Sequence, residues 1–274
     1  MRATVFGAQG FVGRHLTQHL RREGWEVVAL GRGDAPPADG SLGHVFYCIG
    51  LTADFRSRPF ETIEAHVSLA AELLREGRFD SFLYCSSTRV YAGAAEATET
   101  ARIEVDPGDP SDLYNLSKLM GEAACLAVSR PEARIARLSN VFGADDASEN
   151  FLTSILTDAV RDARVVLQSS PDSAKDYVAV EDVATALARI AVQGRERIYN
   201  VAAGRNTSHA ALLAAIRAAT GCEVAVAHDK RPQVFPLIAT ERLQALGDWR
   251  PVPVEACIPA LVEGARRRLS LARQ

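Results

Sequence analysis

Short apolar runs alternate with amphipathic segments of helical length along almost the whole chain of 274 residues. This alternation is typical of consecutive βα units, whose strands lie parallel in one sheet with helices packed on its faces. It predicts strands near 2–6, 25–31, 44–49, 80–86 and 134–139, and helices near 11–23, 60–77 and 111–129. Because only residues 32–43 separate the second strand from the third, no helical crossover of ordinary length fits there.

A glycine-rich turn joins the first predicted strand to the first predicted helix. The segment TVFGAQGFVGRHL places Gly7, Gly10 and Gly13 at this junction. Glycines allow a tight turn and a close approach of backbone N–H groups, while the N-terminus of a helix favours an anion such as a pyrophosphate. The spacing is GxxGxxG rather than the usual GxGxxG. The inference of a dinucleotide site therefore rests on where the glycines lie, between a predicted strand and a predicted helix. The turn predicts a dinucleotide site, and a close-packed turn without a ligand is the alternative.

Together these features predict an α/β fold, a Rossmann-like doubly wound parallel sheet with a smaller C-terminal substrate-binding lobe. We assign residues 1–145 to a dinucleotide-binding core that is abbreviated between its second and third strands. Residues 146–274 form mainly the lobe, with 176–202 returning to the core. The pattern in this second part predicts helices near 150–161, 181–192 and 207–220 and a helix from about 254. It also predicts strands at 164–168 and 222–227, with further short runs at 175–180 and 197–202.

The residue after the second strand decides the preference for NAD or NADP. An acidic residue accepts a hydrogen bond from the ribose hydroxyl of NAD, whereas an arginine binds the additional phosphate of NADP. Here the strand runs into Gly31 and Arg32, and the first acid is Asp34. Arg32 therefore favours NADP. A solvated Arg32, with Asp34 contacting NAD, is the alternative.

Composition excludes several classes of protein. The formal charge is -3 and the arginines are scattered, so no basic surface for nucleic acid is predicted. No apolar run reaches the roughly 18 residues of a membrane span, and the N-terminal RATVFG leaves no room for a signal peptide, so we expect a cytoplasmic protein. The five cysteines are widely spaced and odd in number, which predicts neither a disulfide framework nor a metal site.

The segment YNLSK places Tyr114 four residues before Lys118, one of three lysines in the chain. On a helix these side chains share a face. An ammonium about 4 Å from a phenolate stabilises it by roughly 4 kcal/mol at an effective dielectric near 20, which offsets about three pKa units. Burial acts in the opposite direction. We therefore expect Tyr114 to exchange a proton with a substrate hydroxyl or carbonyl, assisted by Lys118; an ordinary surface pair is the alternative.

Serines end the predicted strand at 80–86. Ser86, Ser87 and Thr88 follow one another at its carboxyl end, the edge where parallel sheets bind ligands. Hydrogen bonding at a strand end would explain Ser86 and Thr88 equally well. Ser111 is the expected N-cap of the helix that carries Tyr114.

The glycine turn, the serine strand end and Tyr-x-x-x-Lys resemble, in this order, an extended short-chain dehydrogenase/reductase. More narrowly, the chain resembles the NAD-dependent epimerase/dehydratase family that acts on nucleotide sugars. The match rests on SSTRVYAG, RLSNVFG, KDYVAVEDVA and YNVAAGRNTSHAALL. The resemblance implies that Ser87, Tyr114 and Lys118 are catalytic.

The resemblance also implies binding residues. For the cofactor it implies the glycine turn with Phe11 and Val12 at the pyrophosphate, then Cys48, Ile49, Gly50, Tyr114, Lys118 and Ser139. For the diphosphate of a nucleotide-sugar substrate it implies Asn140, Lys175 and Arg231, with Ser87 at the sugar. The family usually forms a dimer through the helices at 60–77 and 111–129, so a homodimer is expected.

Three departures narrow the reaction. Dehydratases of this group have an Asp-Glu pair where Thr88 and Arg89 stand, so dehydration is not expected. The epimerising reductases that make GDP-fucose have a cysteine at the position of Arg89. His66 stands where the family usually has asparagine, which leaves the local cofactor contacts open.

Two outcomes of hydride transfer remain, at a sugar carbon that the resemblance suggests is C4. A keto-sugar reductase consumes NADPH, whereas an epimerase retains NAD and returns the hydride to the other face. Two further hypotheses are a reductase of a non-sugar carbonyl and a catalytically silent NADP-binding sensor or scaffold. The intact Ser87, Tyr114 and Lys118 set argues against the silent protein.

Overall fold

The computed structural model describes residues 1–37, 40–52, 54–148, 150–227 and 231–271. Its strands are β1 (Arg2–Phe6), β2 (Glu26–Leu30), β3 (His44–Tyr47), β4 (Ser81–Ser87), β5 (Ala133–Leu138), β6 (Asn140–Phe142), β7 (Arg164–Leu167), β8 (Ala174–Ala179), β9 (Ile198–Val201), β10 (Asn206–Ser208) and β11 (Glu223–Val226). Its α-helices are α1 (Phe11–Arg22), α2 (Pro59–Ile63), α3 (Leu69–Glu76), α4 (Leu113–Ala127), α5 (Phe151–Arg161), α6 (Val180–Gln193), α7 (His209–Thr220), α8 (Glu241–Gln244) and α9 (Val254–Leu271).

Six strands form one parallel sheet in the order β2-β1-β3-β4-β5-β9. Alternate residues of β1 face opposite sides, so Val5 joins a core beneath α1 and α6 while Phe6 joins a core beneath α3 and α4. Helices therefore cover both faces, and the predicted doubly wound α/β fold is confirmed.

The connection between β2 and β3 crosses β1 without a helix among its described residues. Both strands pair with β1, which lies between them. As a result β2 is an edge strand. The residues after it, including Arg32, are exposed at that edge.

A third core lies in the C-terminal half of the chain. Helices α5, α7 and α9 pack on one another around buried residues such as Leu156, Ile216 and Ile258. Two small sheets belong to this region, β10-β8-β6 and the parallel pair β11-β7. Helix α6 and strand β9 return to the large sheet. The division of the chain at residue 145 itself stays a prediction.

The helix predicted at 60–77 is interrupted. Between α2 and α3 the chain forms a π-helical turn, Glu64–Ser68, that contains the buried His66. A turn with one additional residue is common at functional sites. No helix within the described ranges combines the length and apolarity needed to cross a bilayer.

Candidate active site

The carboxyl ends of β1, β3, β4 and β5 meet at one edge of the large sheet, because all four strands are parallel neighbours. A cavity of about 460 Å³ opens there. Its wall brings together most of the predicted cofactor residues, namely Gly10, Phe11, Val12, Cys48, Ile49, Gly50, Tyr114, Lys118 and Ser139, together with Ser87, Asn140 and Lys175.

The glycine turn shapes one end of this cavity. Gly7 has φ +76°, and a Cβ there would lie 2.9 Å from the carbonyl carbon of Cys48. A Cβ on Gly13 would lie 2.2 Å from the carbonyl oxygen of Gly7, so the helix packs directly on the turn. Gly10 is the N-cap of α1 and, as a glycine, provides no side-chain cap hydrogen bond. Gly10, Phe11 and Val12 line the cavity, so the N-terminus of α1 lies at its wall, an arrangement that suits a pyrophosphate.

Helix α4 places Tyr114 and Lys118 on the same buried face, 6% and 3% exposed. The Lys118 ammonium donates a 2.9 Å hydrogen bond to the Cys85 carbonyl at the end of β4. Helix α4 begins at Leu113 after Asp112, so Ser111 is not its N-cap. Ser111 instead accepts a hydrogen bond from Arg56 through its hydroxyl.

Burial dominates the electrostatics of the phenol. It raises the pKa of Tyr114 above 10.0, while the Ser87 hydroxyl and the Arg89 guanidinium lower it by less. Burial also lowers the pKa of Lys118 to about 8. The expected net decrease in the pKa of Tyr114 beside Lys118 is therefore wrong for this structure. Desolvation of the phenol outweighs the neighbouring charges, and the nearby cation that lowers its pKa is Arg89.

The strand end that carries Ser87 is fixed by a buried ionic network. Glu122 of α4 pairs with Arg137 of β5 at 2.6 Å, and Ser86 donates to the same carboxylate at 2.5 Å. Arg137 also donates to the Tyr91 hydroxyl at 2.7 Å. The network ties α4 to β4 and β5. The Ser86 hydroxyl is thus bound to Glu122, while Ser86 and Ser87 both line the first cavity.

A second cavity of about 380 Å³ shares Ser87, Ser139, Asn140 and Lys175 with the first. It extends past Arg89 toward Gln233, Phe235 and Ile238. Ser139 and Asn140 both donate to the carbonyl of Asp176, at 2.9 and 2.7 Å. The two cavities therefore share one wall, which includes Ser87.

Four predicted site residues lie outside these walls. Arg32 and Arg231 are exposed and line neither cavity. Gly7 and Gly13 shape the glycine turn but do not line either cavity. The binding roles of Arg32 and Arg231 stay predictions.

Three further residues surround Tyr114: Phe55, which the sequence did not single out, and His66 and Arg89, which it noted only as departures from the family pattern. The Phe55 and His66 rings lie 5.6 and 5.3 Å from the phenol ring, and the Arg89 guanidinium lies 5.4 Å from it. Phe55 and His66 come from segments about 50 residues away in sequence, so no local spacing reveals them. For Arg89 the sequence did offer a signal, because this residue stands only two positions after Ser87.

The residues that line the first cavity fit a nicotinamide dinucleotide. Gly50 lines this cavity, and a Cβ there would lie in ordinary contact with Lys118 Nζ, at 3.5 Å. The open helix N-terminus at Gly10 lies at the same cavity wall. Among the residues that the structure describes, no cluster of three acidic, histidine or cysteine side chains is arranged to hold a metal ion.

Comparison with known proteins agrees with this geometry. Residues 3–202 match the model of the NAD dependent epimerase/dehydratase family. The GDP-6-deoxy-D-mannose reductase of Pseudomonas aeruginosa is 29% identical over 232 residues, which cover 74% of this chain and 75% of that protein.

Solved structures share the fold. RMD from Pseudomonas aeruginosa, complexed with NADPH, superposes with a TM-score of 0.80 at 22% identity over 97% of this chain and 99% of that one. The UDP-glucuronic acid 4-epimerase of Bacillus cereus, complexed with UDP-glucuronic acid and NAD, gives a TM-score of 0.80 at 16% identity over 98% of this chain and 100% of that one.

Proposed function

The chain belongs to the NAD-dependent epimerase/dehydratase family, and on that premise we propose that it is an NAD(P)-dependent oxidoreductase that transfers hydride at C4 of a nucleotide-linked sugar. One observation carries the proposal. Ser87, Tyr114 and Lys118 line the cavity that begins at the glycine turn, and Ser87 also lines the adjoining second cavity. A redox cofactor and a substrate would therefore meet at the residues that can move a proton.

Each residue has a distinct role in this proposal. A nicotinamide bound in the first cavity would supply the hydride chemistry. Tyr114 exchanges a proton between its phenolic oxygen and the oxygen on the reacting carbon, and the Ser87 hydroxyl holds that oxygen in place. Lys118, with a pKa of about 8, is mostly protonated at neutral pH. Its ammonium contributes positive charge at the wall formed by Gly50 and Cys85.

The carboxylates near the cavities argue against dehydration. Asp146 accepts from Ser148 and Asn150, and Asp176 accepts from the amides of Ala203 and Arg205. Both side chains are thus engaged in structural hydrogen bonds. Among the described cavity-lining residues no other carboxylate is available to eliminate water.

For the cofactor we favour NADP. The Asp34 carboxylate accepts a 2.7 Å hydrogen bond from the amide of Gly31, which commits it to the turn after β2. Arg32 extends from this turn and is exposed. We expect Arg32→Gln to weaken NADPH binding about tenfold and NADH binding by less than about threefold, as measured by quenching of protein fluorescence. Equal losses for both cofactors would favour NAD, contacted by Asp34.

The reaction is tested with a panel of keto-sugar nucleotides and their reduced forms. Stoichiometric loss of NADPH absorbance identifies a reductase, the activity of the Pseudomonas relative. Interconversion of two stereoisomers by NMR, without net consumption of NADPH, identifies an epimerase. If simple ketones and aldehydes are reduced and no sugar nucleotide reacts, the protein is a reductase of non-sugar carbonyls. If the protein binds NADPH but turns over nothing, the sensor hypothesis replaces the enzyme.

A further inference from the structure

Arg89 occupies the reacting end of the second cavity. It belongs to the 3₁₀ turn Thr88–Tyr91 that directly follows Ser87, and its backbone amide donates to the Ser87 hydroxyl at 3.1 Å. Its guanidinium lies 5.4 Å from the Tyr114 ring and 5.1 Å from the buried Phe55 ring. The cation is thus held on two aromatic faces beside the proposed proton donor.

This half-buried guanidinium has few partners. Of its five N–H donors, one has an acceptor among the described residues, the carbonyl of Ser111 at 3.3 Å. Asp109 and Asp112 influence it only at longer range, and both carboxylates already accept hydrogen bonds from other groups. By contrast, the buried Arg137 is held by Glu122 and the Tyr91 hydroxyl.

The rest of the cavity adds positive charge. Lys175 lines it as well, 5.8 Å from the Phe235 ring, and its ammonium has no hydrogen-bond acceptor among the residues that the structure describes. Burial and the charge of Arg89 lower the pKa of Lys175. Asp176, the carboxylate in the lining, is occupied by backbone amides. The described lining of this cavity therefore carries two cations, Arg89 and Lys175, against the one carboxylate of Asp176, and the excess of positive charge favours an anionic ligand.

The diphosphate of a nucleotide sugar would account for one of these two cations, Lys175. Lys175 lines both cavities and is available to that diphosphate. Arg89 lies against Tyr114, where the reacting sugar and not the diphosphate must sit. A neutral sugar would leave a partly desolvated guanidinium unpaired, whereas its planar fork matches a carboxylate in bidentate geometry.

We propose that the sugar carries a carboxylate, so that the substrate is a nucleotide-linked uronic acid whose acid group binds Arg89. This inference rests on the proposed function, because it assumes a nucleotide sugar in the second cavity. It makes Arg89 the residue that selects an acidic sugar over the matching neutral one.

The test measures the affinity of the full-length protein, with NADP present, for matched pairs of nucleotide sugars by calorimetry. The pairs are UDP-glucuronate with UDP-glucose, GDP-mannuronate with GDP-mannose, and dTDP-glucuronate with dTDP-glucose. For the nucleotide that binds, we expect the acid to bind at least about tenfold more tightly. In Arg89→Gln the acid should lose about 10- to 100-fold in affinity and the neutral sugar less than about threefold.

Arg56→Gln is the matched control. Arg56 lies 4.5 Å from the same Phe55 ring and also donates to Ser111, yet it is exposed and lines neither cavity. Its variant should leave the ratio of acid to neutral affinity unchanged. Arg89→Lys, which keeps the charge without the fork, should recover part of the selectivity.

The outcomes separate this inference from the proposed function. If acid and neutral sugars bind the wild-type protein equally, the inference is overturned and the nucleotide-sugar activity stands. If Arg89→Gln lowers turnover while the affinity ratio stays that of the wild type, Arg89 acts only on Tyr114 and the inference is again overturned. If no sugar nucleotide binds, both the inference and the proposed function are wrong. The ratio of acid to neutral affinity in the wild-type protein tests the inference even if a variant does not fold.

Discussion

The Nδ1 atom of His66 lies 2.8 Å from the hydroxyl of Ser117. The other ring nitrogen, Nε2, accepts a 3.1 Å hydrogen bond from the amide of Leu51. Because a backbone amide only donates, Nε2 is unprotonated and the neutral ring carries its proton on Nδ1. Ser117 in turn donates to the carbonyl of Tyr114. A neutral His66 thus links the loop after β3 to the helix that carries Tyr114.

This linkage predicts a loss of stability in acid. Burial, followed by the charge of Lys118, lowers the pKa of His66 from 6.5 to about 2. A group with a depressed folded-state pKa contributes stability above its unfolded pKa and loses it as the pH falls. Between pH 6.5 and 5 the free energy of unfolding should therefore fall by about 2 kcal/mol because of His66 alone. Urea unfolding at a series of pH values measures it.

The matched variant is His66→Asn, which cannot titrate at this site. The other histidines are common to both proteins, so the difference between the two pH profiles isolates His66. We expect the variant to show a correspondingly shallower decline below pH 6.5. Parallel profiles would mean that His66 is protonated in the folded protein, contrary to the tautomer deduced above.

Tyr114→Phe removes only the phenolic oxygen from a buried ring. If Tyr114 is the general acid/base, turnover should fall about 10²- to 10⁴-fold while the dissociation constant of NADPH changes by less than about threefold. Tyr199→Phe is the control, because the Tyr199 hydroxyl accepts from the amides of Arg195 and Glu196 and lines neither cavity. Its activity should match wild type. A Tyr114→Phe enzyme with more than a third of the activity would remove the assignment.

Gly13→Ala should damage both folding and cofactor binding. The added Cβ would lie 2.2 Å from the carbonyl oxygen of Gly7, a rigid backbone atom, so α1 must move away from the turn. We expect a cost of about 2 kcal/mol or more in the free energy of unfolding, with weakened NADPH binding. Gly24→Ala is the comparison, since Gly24 has φ +77° with open space around it. It should cost about 1 kcal/mol without affecting NADPH.

Helix α2 carries the exposed apolar residues Phe60 and Ile63, and helix α4, which contacts α2, carries Met120; they are 81%, 42% and 58% exposed, and we refer to the three as the α2–α4 apolar surface. The predicted homodimer would cover this surface. We therefore expect a dimer by light scattering at micromolar concentration, and a monomer for the double variant Phe60→Glu, Met120→Glu. Val226→Glu, at an exposed position on β11, should remain dimeric. A monomeric wild type would refute the assignment of this surface.

Secondary structure was predicted well because it depends on local periodicity. Helix α6 at Val180–Gln193 and strand β4 at Ser81–Ser87 lie within one or two residues of the predicted 181–192 and 80–86. The π-helical turn Glu64–Ser68 escaped prediction, since one additional residue in a turn hardly changes the amphipathic pattern. The bonds of His66 to Leu51 and Ser117 accompany that turn.

The amino-acid sequence by itself determined the parallel α/β order, the glycine turn and the shared helical face of Tyr114 and Lys118, because each follows from the spacing of near neighbours in the chain. The tertiary structure alone decided that Lys118 donates to Cys85 and that Arg89 lies beside the phenol. It also decided the direction of the Tyr114 pKa. Desolvation and long-range contacts depend on which distant segments pack together, and no local spacing records that packing.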